Sequence, residues 1–298
     1  MRTTIDALIA QERLPASYAA TVDRWWRPLA RRIAQWHASA GRAIIVGVNG
    51  AQGSGKSTVC RFLQAALLPE QGLSAIVVSL DDLYLPLAAR DRLARDMHPL
   101  FRTRGVPGTH DVDTGIALLD ALAAGRDASI PRFSKALDDQ LPQADWTRHV
   151  GPVDVILFEG WCVGARPQDA ASLTSPINRL EMQEDPDGIW RNHVNLALGT
   201  SYRRWFSVID HLLMLKPPSF EHVLDNRLLQ EQKLRRIAPD APGIMDDQAV
   251  ARFVSHYERV TRHMFADLPD RVDMLFQLDA KQAVISAKGL HHHDWKLG

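Results

Sequence analysis

The sequence predicts an α/β fold, doubly wound around a mainly parallel five-stranded sheet, with helices on both faces. Three observations carry that expectation. Short apolar, β-branched runs recur at residues 43–48, 74–80, 153–158, 211–215 and 272–278, each the length of a buried strand. Longer segments between them place apolar residues at helical spacing. The first run leads into GAQGSGKS at residues 50–57, which fits the phosphate-binding pattern G-x-x-x-x-G-K-[ST].

Taken in order, residues 1–40 read as helical. Trp25, Leu29, Ile33 and Trp36 share a face, with Arg24, Arg27, Arg31 and Arg32 around the other side. An aromatic, basic stripe can serve nucleic acid or membrane. More often it is a helix that buries its tryptophans and leaves its arginines solvated, so an N-terminal extension packed on the core is expected. One α/β domain built around the glycine-rich turn is then expected over 41–285.

The strand at 43–48 (AIIVGV) and a helix over 57–68, with Val59, Phe62, Leu63, Ala66 and Leu67 at helical spacing, frame the glycine-rich turn as a P-loop requires. Successive amides must turn inward around a phosphate, and side chains at Gly50, Gly53 or Gly55 would hinder that approach or the dihedrals it needs. The helix N-terminus adds partial positive charge aimed at the same anion. Gly50, Ala51, Gln52, Gly53, Ser54, Gly55, Lys56, Ser57 and Thr58 are therefore the candidate nucleotide-binding residues. Lys56 is placed for the β- and γ-phosphates and Ser57 for Mg²⁺.

The strand at 74–80 ends in Asp81-Asp82-Leu83-Tyr84, completing a strand–P-loop–helix–strand unit. A carboxylate after the strand that neighbours a P-loop suits either proton acceptance from an attacking hydroxyl or Mg²⁺ binding. Residues 85–150 show little strand character. They hold a polar, arginine-rich stretch to Asp113, a short helix near 114–124, then Pro131-Arg-Phe-Ser-Lys135. A long insert of this kind is usually functional. Glu159 directly follows the apolar run at 153–158, where an acid would orient Mg²⁺. Residues 164–187 read as loop, 189–206 as helix, 219–236 as a long helix, 239–243 as a turn and 246–264 as helix. Residues 219–264 are thus mostly helical, and 286–298 form a polar tail in which His291, His292 and His293 are more often solvated than metal-bound.

Composition removes several classes. Lys+Arg and Asp+Glu both number 35, so bulk charge gives no reason to expect nucleic acid or an anionic membrane. The 2 cysteines, Cys60 and Cys162, lie far from any C-x-x-C pair, so neither zinc nor a disulfide is indicated and a reducing compartment fits. With no apolar signal core and no spanning stretch, a soluble cytoplasmic protein is the expectation.

The P-loop, the SxDD-x-Y segment at 79–84, RGVPGTHD at 104–111, PRFSK at 131–135, LFEGW at 157–161, PGIMD at 242–246 and FVSHY at 253–257 occur in this order. Together they resemble D-glycerate 3-kinase of the plant and fungal type and its bacterial relatives. That group lies within the superfamily of uridine kinase, phosphoribulokinase and pantothenate kinase. The resemblance spans about 44–279; R-G-x-P-G-T-H-D and F-E-G-W are its specific parts. It implies transfer of a phosphoryl group from ATP to D-glycerate, giving 3-phosphoglycerate and ADP, with Mg²⁺. It implies Asp81 as catalytic base, Lys56 and Glu159 at the phosphates and metal, and Arg227, Arg235 and Arg236 in the lid, of which Arg227 is the candidate catalytic one. A small hydroxy acid needs its carboxylate held. Arg104, His110, Arg132 and Lys135 in the insert suit that, with Asp82 and Tyr84 beside them. Ser134 departs from the acidic residue common at this place in the family, which bears on the acceptor. The alternatives are a related kinase for a nucleoside, pantothenate or another small alcohol, and a non-catalytic ATP-binding switch.

Overall fold

The computed structural model describes residues 2–237 and 245–290. Strand β1 (Ile44–Gly50) is buried along its whole length and stands at the centre of the sheet. Around it lie β2 (Ala75–Ser79), β7 (Val155–Gly160), β8 (His211–Lys216), β9 (Met274–Leu278) and β10 (Val284–Lys288), in the order β10-β9-β8-β1-β7-β2. All neighbours run parallel except β10 on β9. The chain leaves β1 first toward β2 and β7 and later crosses to β8 and β9. The carboxyl ends of β1 and β7 therefore flank the switch point where ligands of open α/β sheets sit.

Side-chain alternation along the strands builds two layers. Ile44, Val46 and Val48 of β1, with Leu157, Leu213 and Phe276, pack under α1 (Arg2–Gln11), α2 (Tyr18–Thr21), α3 (Arg27–Ala40) and α4 (Lys56–Phe62). Trp25, Trp26, Leu29 and Ile33 are buried there, and Trp36 stacks on His211 with ring centroids 4.0 Å apart. The basic stripe thus belongs to a helix whose aromatic side closes the core. Ile45, Ile156, Phe158 and Met214 face the other layer.

Four expectations change. The sheet has a sixth strand, the antiparallel edge β10, which crosses the boundary expected at 285/286. Its Val284 and Ile285 are β-branched, but the run is short and no residue of the strand is fully buried, so it lacks the continuous apolar pattern of the parallel strands. The insert is more ordered than its composition suggests. It contains α5 (Leu87–Asp96), α6 (Val112–Ala123) and two small hairpins, β3 (Ala128–Ile130) with β6 (Thr147–His149) and β4 (Phe133–Ser134) with β5 (Asp139–Gln140). The buried residue of α5 is Arg90, so its inner face has no hydrophobic signature. Residues 164–187 contain α7 (Arg179–Glu184), and the helix expected over 189–206 breaks at Thr200 (φ −118°, ψ −92°) into α8 (Ile189–Gly199) and α9 (Ser201–Phe206). The lid region consists of α10 (Phe220–Ile237) and α11 (Asp247–Asp267). The turn at 239–243, the side chain of Arg236 and His291–His293 lie outside the described residues.

Candidate active site

The P-loop begins inside β1, because Gly50 is that strand's last residue. A Cβ on Gly50 would lie 2.4 Å from Ser54 Oγ, so the turn closes only around glycine. Gly53 and Gly55 have φ of +77° and +84°, and Gly55 caps the helix that Lys56 opens. Gly55 and Ser57 are exposed. The result is an amide-lined turn at a helix N-terminus, open to an anion.

Glu159 was expected just beyond the third strand. It lies inside β7, buried opposite Val48 of β1. Its Oε1 accepts hydrogen bonds from Ser57 Oγ (3.2 Å) and Ser79 Oγ (2.8 Å). Its Oε2 is buried with no hydrogen bond, and Lys56 Nζ stands 3.9 Å away. One unsatisfied anionic oxygen beside a hydroxyl fits Mg²⁺, which keeps most of its waters and binds through one or two protein groups and substrate phosphates. Among the described residues, no group of three or more acidic, histidine or cysteine side chains is placed to hold a metal ion.

Asp81 follows β2 in a 3₁₀ turn capped by Ser79. Tyr84 donates its hydroxyl to Oδ1 (2.7 Å), and Lys135 Nζ donates to Oδ2 (2.6 Å). Burial is the largest influence and pushes this carboxyl up. The ammonium groups of Lys135 and Lys56, with the two hydrogen bonds, outweigh it and hold Asp81 at about 2.

The other insert residues divide. Asp82 accepts from Arg132 Nη1 (2.6 Å) and from the Phe133 amide (3.2 Å), while Arg132 Nε also reaches Thr147 (2.8 Å). Asp82 and Arg132 thus satisfy each other and fasten the hairpins to the end of β2. Arg104 pairs with Asp138 and lies over the Phe133 ring (5.6 Å to its centroid). Asp138, held at φ +54°, also receives buried Arg90 (3.2 Å). His110 pairs in antiparallel fashion with Tyr84, places Nδ1 2.5 Å from the Tyr202 hydroxyl, and is buried. Burial pushes its imidazole down to about 3 despite the Asp81 charge, so it is neutral near pH 7 and brings no positive charge to a carboxylate. Arg227 of α10 pairs with Glu231 (2.8 Å) and its charge reaches Tyr257. Arg235 is spent on Met245 O (3.0 and 2.6 Å) and Asp247 (2.7 Å), joining α10 to the start of α11.

Reading the sequence alone gave no role to Ser79, Trp161, Asp138 or Tyr257. Tyr257, on α11, donates to Arg104 O (2.9 Å), and burial, then the Asp81 charge, raises its phenol. Trp161 donates to Gly105 O (2.9 Å), and Gly105, at φ +126°, would carry a Cβ 2.1 Å from the Tyr257 hydroxyl. The family motifs contain Ser79, Trp161 and Tyr257, so their signal was present; Asp138 had none. A cavity of about 670 Å³ lies elsewhere, between Gly164, Arg166, Leu198, Phe206 and Asp210, and includes none of the candidate residues.

The buried imidazoles give a pH prediction. His256 is also pushed down by burial, to about 4. A histidine held below its unfolded pKa of about 6.5 contributes full stability above that value and loses it as pH falls toward the folded pKa. From pH 7 to 5, His110 and His256 together are expected to cost about 4 kcal/mol, or about 2 kcal/mol each. Urea unfolding at the two pH values measures it. A difference below about 1 kcal/mol would mean that both rings protonate without unfolding.

No family model matches the chain. The uncharacterized kinase mug58 of Schizosaccharomyces pombe is 34% identical over 227 residues, covering 73% of this chain and 79% of that protein. The chloroplastic D-glycerate 3-kinase of Arabidopsis thaliana is 30% identical over 225 residues, covering 72% of this chain and 46% of that longer protein. Among solved structures, D-glycerate 3-kinase from Cryptococcus neoformans superposes with a TM-score of 0.74 at 22% identity, over 92% of this chain and 99% of that one, and so supports the fold. Sequence likeness, sheet order and the P-loop agree: the chain belongs to the family of P-loop kinases that includes D-glycerate 3-kinase.

Proposed function

We propose that this small-molecule kinase transfers the γ-phosphoryl group of ATP to a hydroxyl of D-glycerate, giving 3-phosphoglycerate and ADP. The observation that carries the reading is Asp81, an ionised strand-end carboxylate within the field of Lys56 on one side and bonded to Lys135 (2.6 Å) on the other. A proton acceptor thus holds a cation suited to an acid and feels the charge of the P-loop lysine. The Arabidopsis relative, named a D-glycerate 3-kinase, supports that acceptor.

In this reading the amides of 50–57 hold the nucleotide phosphates, and Lys56 neutralises charge developing on the transferred group. Ser57 and Glu159 would hold Mg²⁺, which supplies further neutralisation of the phosphate oxygens. Asp81 accepts the hydroxyl proton as the new O–P bond forms and the bond from the γ-phosphorus to the bridging oxygen breaks, leaving ADP. Arg227 joins as α10 and α11 close and water is excluded. The kinase domain begins near residue 41 and runs through β10, with 85–150 binding the acceptor and 219–264 acting as lid.

Measuring ADP release with D-glycerate, pantothenate, uridine and glycerol tests the assignment. Saturable turnover is expected with D-glycerate. Turnover on uridine or pantothenate, with none on D-glycerate, would replace it.

A further inference from the structure

Without substrate, the three candidate acid-binding cations of the insert are already paired: Arg104 with Asp138, Arg132 with Asp82, and Lys135 with Asp81. An incoming carboxylate must take one of them from its partner. The pairs are not equivalent. Asp138 is gripped by Arg90 as well as Arg104, and Asp82 by the Phe133 amide as well as Arg132. Both are framework. Lys135 has 63% of its side chain exposed, against 22% for Arg104 and 34% for Arg132. It rides on a hairpin of only two residue pairs, Phe133↔Gln140 and Ser134↔Asp139, whose Leu137 is exposed. An ion pair this open to water is held weakly.

The partner of Lys135 is the feature that matters. Tyr84 occupies Asp81 Oδ1 from within, and the Lys135 ammonium sits on Oδ2 from the exposed side. A hydroxyl arriving from solvent meets that ammonium first. We propose that Lys135 is an exchangeable cap on the catalytic base, removed by the acceptor's own carboxylate. The acid draws the ammonium off Asp81, and its hydroxyl takes the vacated place on Oδ2. No covalent bond changes in this exchange; one charge-assisted hydrogen bond replaces another. Because Lys135 and Oδ2 are 2.6 Å apart, a single small molecule can engage both only if its anionic group lies within a few bonds of the reacting hydroxyl. The substrate class is therefore a short hydroxy acid. Neutral alcohols leave the cap in place, and so does water, which restrains ATP hydrolysis in the empty enzyme.

This inference rests on the kinase reading above, and two readouts keep their failures apart. The first is kcat/KM for D-glycerate against glycerol, which offers a comparable hydroxyl without the carboxylate. The second is ATP hydrolysis with no acceptor. Lys135→Ala is expected to reduce the glycerate preference about 100-fold and to raise acceptor-free hydrolysis about 10-fold. Lys135→Arg restores much of the preference. Thermal melting verifies that the variants fold. Hydrolysis that stays level or falls in Lys135→Ala overturns the cap, whatever happens to glycerate turnover. If the wild-type enzyme turns over another short hydroxy acid but not D-glycerate, the glycerate assignment fails, while a rise in hydrolysis in Lys135→Ala still supports the cap; if it uses no acid at all, removal of the cap by a carboxylate fails as well.

Discussion

Lys56→Ala is expected to lower kcat/KM for the preferred acceptor about 10³-fold, with a smaller loss in nucleotide affinity. Lys56 opens α4 at the phosphate turn, keeps only 15% of its side chain exposed, and stands 3.9 Å from the unsatisfied oxygen of Glu159. Its ammonium is thus fixed in a largely water-free place before any substrate arrives. A preorganised charge of this kind acts on the transferred phosphoryl group without reorganisation, which is why removing one is worth about 10²–10³ in rate. The variant also leaves Glu159 buried without its nearest cation, so a lowered melting temperature should accompany the kinetic loss. Near-normal kcat/KM in a folded Lys56→Ala protein would remove the P-loop from the chemistry.

Asp81→Asn keeps the size of the side chain and its acceptance from Tyr84, but removes the charge. The expected result is a fall in kcat of about 10²–10⁴, with little change in the KM for ATP. The split matters because Asp81 is met by Lys135 of the insert at 2.6 Å, while in the proposed mechanism the nucleotide phosphates are held by the amides of 50–57. A variant that lost ATP affinity and kept kcat would identify Asp81 as a phosphate- or metal-side group. Either result separates proton acceptance from Mg²⁺ binding, which the position after β2 alone leaves open.

The amino-acid sequence by itself determined the parts of this protein that are written locally. The five parallel strands are continuous apolar runs because both faces of the sheet are covered, and continuous runs need no partner to be recognised. The phosphate turn was equally legible, since its glycines answer to dihedrals and clearances within eight residues. Asp81 and Glu159 could be picked out because each lies at the carboxyl end of an apolar run, Glu159 on β7 next to β1 and Asp81 just past β2, the next strand out. Tertiary structure alone decided what each charge in the insert does. Arg132, Arg104 and Lys135 looked interchangeable as carboxylate binders, yet Asp82 and Asp138 take the first two and leave Lys135 on the base. Only three-dimensional proximity puts Tyr257 of α11 next to Arg104, and only burial makes His110 neutral. The reason is physical: backbone conformation and hydrophobic periodicity act over a few residues. The role of an ionisable side chain depends on which opposite charge lies within a few ångströms and how much water remains between them.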